Sequence, residues 1–168
     1  MRVLFTAAHG GFANEVVALG GGATIANWLT AEWSQSKPFR FELVTPAILG
    51  SSDPSASDIV RFSERQYAAF CRQFEAAITQ FILQHDPTDT VVLVNDISEA
   101  PDFHRLAQAG FRIVTIYHVD VVAYISAIYL KSLLSPRTLV RLHSVLPRCG
   151  PDILQLIFDK QRASVDCS

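Results

Sequence analysis

A chain of 168 residues, 49% of them hydrophobic, is long enough to bury one core, and we predict a single domain over residues 1–168. The net charge of −2 argues against a nucleic-acid partner, and three cysteines without a C-x-x-C pair argue against a zinc site. No apolar run in the sequence reaches the roughly 18 residues that cross a bilayer. We therefore expect a cytoplasmic protein.

The first predicted unit is a strand, a glycine loop and a helix. Residues 2–8 are mostly apolar and partly branched or aromatic, which is typical of a strand buried on both faces. Gly20, Gly21 and Gly22 then precede a helical pattern over residues 24–33. The apolar face of this helix is predicted to contain Ile25, Trp28, Leu29 and Trp33.

The glycine triplet favours an anion as ligand. Glycine readily adopts positive φ, which lets successive backbone N–H groups point at one anion, and the following helix adds the positive end of its dipole. A phosphate or a sugar phosphate is thus the first candidate. The alternative is a loop of small residues that lets the helix pack closely against the sheet.

A second strand is predicted over residues 39–44, and a long amphipathic helix follows the turn-rich residues 50–57. Ser55 is placed to cap the start of this helix near Asp58. Apolar residues repeat at intervals of three and four up to residue 82, and we expect them in the core rather than in a cofactor site. They are Tyr67, Phe70, Cys71, Phe74, Ile78, Phe81 and Ile82.

Two further strands are predicted over residues 90–94 and 111–117, with a short helix between Pro101 and Gly110. The alternation of strands and helices predicts an α/β fold, namely a Rossmann-like parallel sheet with helices on both faces. Beyond residue 120 no further strand is predicted, so the C-terminal third is expected to be helical.

The C-terminal third combines apolar and basic residues. Residues 121–134 are predicted to form one apolar helix, and two short helices are predicted over 138–146 and 153–161. Residues 103–168 contain 8 Lys and Arg against 4 Asp and Glu, and Arg137, Arg141 and Arg148 suggest a basic edge. A packed helical subdomain is the favoured interpretation of these residues, and a peripheral membrane contact through the basic and apolar surface is the alternative.

Polar candidates follow three of the predicted strands. They are His9 after the first strand, Asn95 and Asp96 after the third, and His118 and Asp120 after the fourth. Ligands of open α/β sheets bind at the carboxyl ends of the strands, so these side chains and the glycine triplet are expected at one edge. His118 is interpreted either as a structural residue or as a donor to a sugar hydroxyl or a developing charge. With no third ligand near His118 and Asp120, no metal is predicted.

Three of these features together resemble a known family. The opening strand, the Gly20-Gly21-Gly22-Ala23 loop before a helix, and the strand that ends Ile-Val-Thr-Ile-Tyr-His at position 118 are similar to the N-terminal domain of a GT-B-fold glycosyltransferase. Among these enzymes the chain most resembles the retaining glycosyltransferases of family 4, also called group 1. The resemblance implies the N-terminal, acceptor-side half of a GT-B fold.

The resemblance also implies roles for the candidate residues. Gly20, Gly21 and Gly22 would approach the diphosphate of a nucleotide-sugar donor, which is a substrate rather than a cofactor. His118 would be the catalytic residue that contacts the transferred sugar. The set expected to bind substrate further includes Asn95, Asp96 and Asp120. Fixed hydrogen bonds and dipoles can stabilise the leaving diphosphate without a metal.

The chain lacks the second nucleotide-binding domain of such an enzyme, with its paired glutamates, so we expect a fragment that is inactive alone. The implied partners are a nucleotide sugar, a sugar or lipid acceptor and the missing C-terminal domain, at the inner face of a membrane. The alternative function is a non-enzymatic α/β module that binds an anionic ligand, or docks on a membrane or partner through its C-terminal helices.

Overall fold

A parallel four-stranded sheet forms the centre of the computed structural model, which describes residues 1–9, 21–35, 38–52, 59, 61–118, 120–145 and 151–167. The strands are β1 (Arg2–Thr6), β2 (Arg40–Val44), β3 (Thr90–Val94) and β4 (Arg112–Thr115). Their order in the sheet is β2-β1-β3-β4, and every neighbouring pair is parallel. The predicted Rossmann-like sheet is confirmed.

Six α-helices accompany the sheet in the described part of the chain. They are α1 (Gly21–Trp33), α2 (Glu64–Ile82), α3 (Phe103–Gln108), α4 (Val121–Tyr124), α5 (Pro136–Val145) and α6 (Asp152–Asp166). A 3-10 helix spans Pro46–Ser52, and a π-helical segment at Ile125–Tyr129 continues α4. The regular elements described beyond β4 are all helices, as predicted. No described helix contains a stretch long and apolar enough to span a bilayer.

The two faces of the sheet carry separate apolar clusters. Leu4 of β1 packs with the larger cluster, which includes residues of α2, α3 and α6. Its neighbours Val3 and Phe5 pack with the smaller cluster, which includes Ala26 of α1. Successive side chains of a strand point to opposite faces, so β1 lies at the centre of a sheet covered on both sides.

The strand order places a topological switch point between β1 and β3. The connection after β1 contains α1 and leads to β2 on one side, whereas the connection after β3 contains α3 and leads to β4 on the other. The two helices pack on opposite faces of the sheet. Loops therefore diverge at the carboxyl ends of β1 and β3, which is where open α/β sheets form their ligand crevice.

Helix α2 begins later than the sequence pattern predicts. Ser55 and Asp58 lie outside the described residues, and the helix begins at Glu64 with Ser63 as its N-cap. The Ser63 side chain accepts from the backbone N–H of Gln66, while the Gln66 side chain accepts from the backbone N–H of Ser63. This reciprocal capping box satisfies two N–H groups that the helix itself leaves unpaired.

The orientation of α1 differs from the prediction at one residue. Trp28 is 70% exposed, although its spacing placed it on the apolar face. The side that packs against the sheet is formed by the small residues Ala23 and Ala26, followed by Leu29 and Trp33. Small side chains let the helix axis approach the strands, so the largest residue of the first turns lies on the outer side.

The predicted continuous helix over residues 121–134 is wrong. Helix α4 ends at Tyr124, the next five residues are π-helical, and Lys131 and Ser132 have positive φ of 46° and 59°. Ser126 holds the resulting turn, because its hydroxyl donates to the carbonyl of Leu134 at 2.6 Å and its carbonyl accepts from the N–H of Ser132 at 2.8 Å. Local side-chain bonds of this kind compete with the helical pattern.

Candidate functional site

Residues from three separate segments meet at the carboxyl edge of the sheet. Asn95 directly follows β3, His118 follows β4 and Gly22 lies in the first turn of α1. The Asn95 Nδ2 group donates to the carbonyl oxygen of Gly22 at 3.3 Å, and Asn95 Oδ1 lies 3.1 Å from His118 Nε2. The predicted proximity of the imidazole and the glycine segment is therefore present at Gly22.

The hydrogen bonds of Asn95 determine that Nε2 of His118 carries a proton. A carbonyl oxygen only accepts, so the Gly22 carbonyl must face the amide nitrogen of Asn95, and Asn95 Oδ1 faces the ring. His118 Nε2 must then carry a proton and donate it to Oδ1. In the neutral imidazole, Nδ1 is consequently an acceptor with a free lone pair.

The Nδ1 atom of His118 is buried and has no hydrogen-bond partner among the described residues. A small pocket of about 20 Å³ lies beside the ring, lined by Asp96, Ile97, Ile116, Tyr117, His118 and Val121. This space holds about one water molecule. An unpaired buried nitrogen is costly, so a hydroxyl or a water that donates to Nδ1 would be favoured there.

A second polar cluster occupies the same edge. Glu99, which is only 3% exposed, accepts through Oε1 from Tyr67 Oη at 2.7 Å and from His9 Nε2 at 3.0 Å. Its other oxygen, Oε2, and His9 Nδ1 are buried without partners among the described residues. The cluster thus contains one unpaired carboxylate oxygen and one unpaired ring nitrogen among the described residues.

Burial and charge shift the pKa values of this cluster. Burial lowers the pKa of His9, but the hydrogen bond and the charge of Glu99, with the charge of Asp96, outweigh it and raise the pKa overall. Burial and the charge of Glu99 raise the pKa of Tyr67 well above its ordinary value. Burial, together with the charge of Glu99, also raises the pKa of Asp96. Perturbed groups that converge on a sheet edge are typical of functional sites.

The two predicted aspartates have different positions. Asp96 lines the pocket beside His118, and its Oδ1 accepts from the backbone N–H and the hydroxyl of Ser98 at 3.0 and 2.7 Å. Asp120 instead caps α4, accepting from the N–H of Ala123 at 2.9 Å. No described hydrogen bond joins Asp120 to the other candidates, and the structure gives this carboxylate a capping role.

The glycine segment is helical where the structure describes it. Gly20 lies outside the described residues, and α1 begins at Gly21. Positive φ is found among the described glycines at Gly50 and Gly110, not at Gly22, so the predicted loop conformation is wrong for Gly22. A Cβ added at Gly22 would lie 3.5 Å from His118 Cδ2 and 3.7 Å from Asn95 Nδ2, which is ordinary contact. Gly22 therefore leaves room beside the imidazole.

Sequence reasoning missed two members of the site. Tyr67 belongs to the apolar repeat of α2, and its spacing predicted a core position, yet its hydroxyl reaches Glu99. Glu99 lies in the connection after β3, where no motif distinguishes it from a surface residue. The one sequence signal that could have identified Glu99 is its position, because it is an acidic residue shortly after a buried strand.

The described residues contain no group of three His, Cys, Asp or Glu side chains that could hold a metal ion. Comparisons with protein-family models, with curated proteins and with solved structures found no match for this chain. What the edge offers chemically is the start of α1, the buried and unpaired Nδ1 atom of His118, and a buried carboxylate held by His9.

Proposed function

We propose that the chain is the acceptor-side half of a retaining glycosyltransferase that uses a nucleotide-sugar donor. The observation that carries the proposal is the contact of His118 with Asn95 and Gly22 at the switch point of a parallel sheet. Its second basis is the sequence resemblance to family 4 enzymes of the GT-B fold. In this proposal a second domain completes the cleft and binds the nucleotide.

The start of α1 is suited to the donor diphosphate. The helix has 13 residues, and its first turn contains no acidic side chain that would repel an anion. The backbone N–H groups and the dipole of a helix N-terminus favour negative charge, which increases on the diphosphate as the bond to the anomeric carbon breaks. Gly21 and Gly22 leave this end open because they add no side chain.

The role of His118 follows from its hydrogen bonds. Asn95 occupies Nε2, so the neutral ring offers Nδ1 as an acceptor for a hydroxyl of the transferred sugar. A ring fixed in this way orients the sugar next to the breaking bond without itself exchanging a proton. Fixed orientation of the reacting groups is a large source of rate enhancement in enzymes.

The test uses the complete natural protein and a panel of radiolabelled uridine, guanosine and adenosine diphosphate sugars with soluble and lipid acceptors. We expect transfer from one donor, and at least a tenfold loss of kcat in His118→Ala, equivalent to about 1.4 kcal/mol of transition-state stabilisation. His85→Ala is the control, because His85 follows α2 and bonds the carbonyl of Phe81.

Circular dichroism melting checks that both variants fold. Equal turnover of His118→Ala and the unmodified protein would contradict the role of the ring. Donor binding with no transfer to any acceptor would instead favour a module that binds an anionic ligand.

A further inference from the structure

Two adjoining grooves lie between the C-terminal helices. The first has a volume of about 510 Å³ and is lined by Arg137 and Arg141 of α5. The second has a volume of about 420 Å³ and is mostly apolar, with Val165 and Phe158 of α6 among its lining residues. Val122, Val140 and Gln161 line both grooves, so a basic surface passes directly into an apolar one.

The basic groove carries a net positive charge, because the guanidinium groups of Arg137 and Arg141 outnumber the one carboxylate, that of Asp120, in its lining. Arg137 and Arg141 are four residues apart in α5 and therefore lie on one helix face. No ion pair links either guanidinium to a carboxylate in the described part of the chain, and Asp120, which also lines the groove, caps α4. Paired arginines bind phosphate oxygens through several charge-assisted hydrogen bonds.

The junction of the grooves holds an unpaired acceptor. Gln161 Oε1 is buried and has no hydrogen-bond partner among the described residues. A ligand hydroxyl at this point would donate to it and satisfy it. Beyond the junction, Val140 and Val165 are 51% and 65% exposed, so an alkyl chain laid there would remove apolar surface from water.

We propose that the two grooves together bind one lysophospholipid molecule, with its phosphate on Arg137 and Arg141 and its single acyl chain along Val165 and Phe158. The order of basic, polar and apolar groups matches that of a phosphate headgroup, its hydroxyl-bearing linker and its chain. Asp120, which lines the basic groove, lies two residues after His118 in the chain. This inference rests on the proposed function, because it identifies the acceptor of the proposed glycosyl transfer as a phosphate-bearing lipid.

The first experiment measures binding of lauroyl lysophosphatidic acid, below its critical micelle concentration, to the complete natural protein by calorimetry. We expect one lipid per chain, and at least tenfold weaker binding in Arg137→Gln/Arg141→Gln, because two charge-assisted contacts are lost. Arg105→Gln/Arg112→Gln removes the same charge from α3 and β4 and should bind within about twofold of the unmodified protein.

The second experiment tests where the acyl chain of the lipid binds. Val165→Ser should weaken binding of the same lipid at least threefold, whereas Leu133→Ser, which is 84% exposed and lines neither groove, should not. Inorganic phosphate and glycerol phosphate should bind at least tenfold more weakly than the lipid, because they lack the chain.

Several outcomes overturn the proposal. Equal affinity for inorganic phosphate would show a free-anion site, and lipid binding unaffected by the arginine double variant would place the lipid elsewhere. Binding to phosphatidylcholine and phosphatidylglycerol vesicles without binding of the monomeric lipid would show membrane docking instead. Saturable lipid binding that depends on the two arginines, together with no transfer in the donor panel described above, would uphold this site and count against the proposed function.

Discussion

Glu99 has a buried carboxylate, and removing this charge from water costs free energy. A carboxylate that is 97% removed from water loses much of its hydration, and an unpaired buried charge would cost several kcal/mol. His9 and Tyr67 compensate by donating to the same oxygen. Burial and the charge of Glu99 both raise the pKa of Tyr67, whereas for His9 burial lowers the pKa and the hydrogen bond and charge of Glu99 raise it.

We predict that Glu99→Gln lowers the pKa of His9. The substitution keeps the shape of the side chain but removes the charge that raises this pKa, and the burial of His9 then acts with less opposition. NMR titration of the histidine ring signals measures the change, with His85 as an internal reference. An unchanged titration of His9 would show that Glu99 does not hold its proton.

The same pair makes stability depend on pH. The folded-state pKa of His9 is raised above its ordinary value of 6.5, so the stability it contributes is fully present below about pH 6.5 and is lost as pH rises through the raised pKa. Urea unfolding between pH 6 and 9 should therefore show the difference between the unmodified protein and Glu99→Gln shrinking with pH. If the difference in the free energy of unfolding stayed constant with pH, the pair of His9 and Glu99 would not be its cause.

Gly22 provides a test of the space beside His118. Gly22→Ala should be tolerated and should stabilise the protein by about 0.5–1 kcal/mol, because its Cβ makes ordinary contacts and alanine favours helix. Gly22→Val places two further methyl groups against His118 and Asn95 and should cost about 1–3 kcal/mol. Urea unfolding compares the two variants, and equal stability would show that the ring is free to move away.

A buried lysine adds polar contacts to the apolar packing of helix α6. Lys160 is 7% exposed, and its Nζ donates to the carbonyls of Ala100 and Pro101 at 2.6 and 3.0 Å. It also lies 2.7 Å from Oε1 of Glu75 in α2. Burial lowers the pKa of Lys160, and the charge and hydrogen bond of Glu75 oppose this shift. The three bonds connect α6, α2 and the segment before α3.

We predict that Lys160→Met destabilises the protein by about 3–5 kcal/mol, because it leaves the Glu75 carboxylate and two carbonyls without their donor. Arg162→Met is the matched control, since Arg162 is exposed and makes only a surface pair with Asp166. Urea unfolding gives both values. Adding Glu75→Gln to Lys160→Met should recover part of the loss, and no recovery would mean that the two charges are not coupled.

Across the whole molecule, burial is very uneven. The strands β1 and β3 lie inside the sheet and are largely buried, whereas α5 has no buried residue. Local opening requires little free energy where few apolar contacts are lost. The sheet and α2 are therefore expected to form the stable unit, and α5 the part that opens first.

Amide hydrogen exchange measures this difference. We expect the amides of β1 and β3 to exchange at least about a hundredfold more slowly than those of α5, which corresponds to some 2.7 kcal/mol in opening free energy. Protection of α5 equal to that of β3 would show that α5 is packed more tightly than its exposed face indicates.

Much of the sheet was predictable because strand signals are local. The apolar run at residues 90–94 coincides with β3. The end of each apolar run also predicts which polar residues lie at the carboxyl end of that strand. A parallel arrangement then brings His118 and Asn95 to one edge, since the carboxyl ends of parallel strands coincide. These features depend on residues close together in the chain and on one rule of topology.

Contacts between distant segments were not predictable in the same way. Periodicity gave Tyr67 an apolar environment and Trp28 a buried one, but the first bonds Glu99 and the second faces outward. The break after Tyr124 depends on Ser126 reaching Leu134. In each case a side chain's surroundings depend on how segments far apart in the chain pack, and packing is set by shape and hydrogen bonding in three dimensions rather than by spacing along the chain.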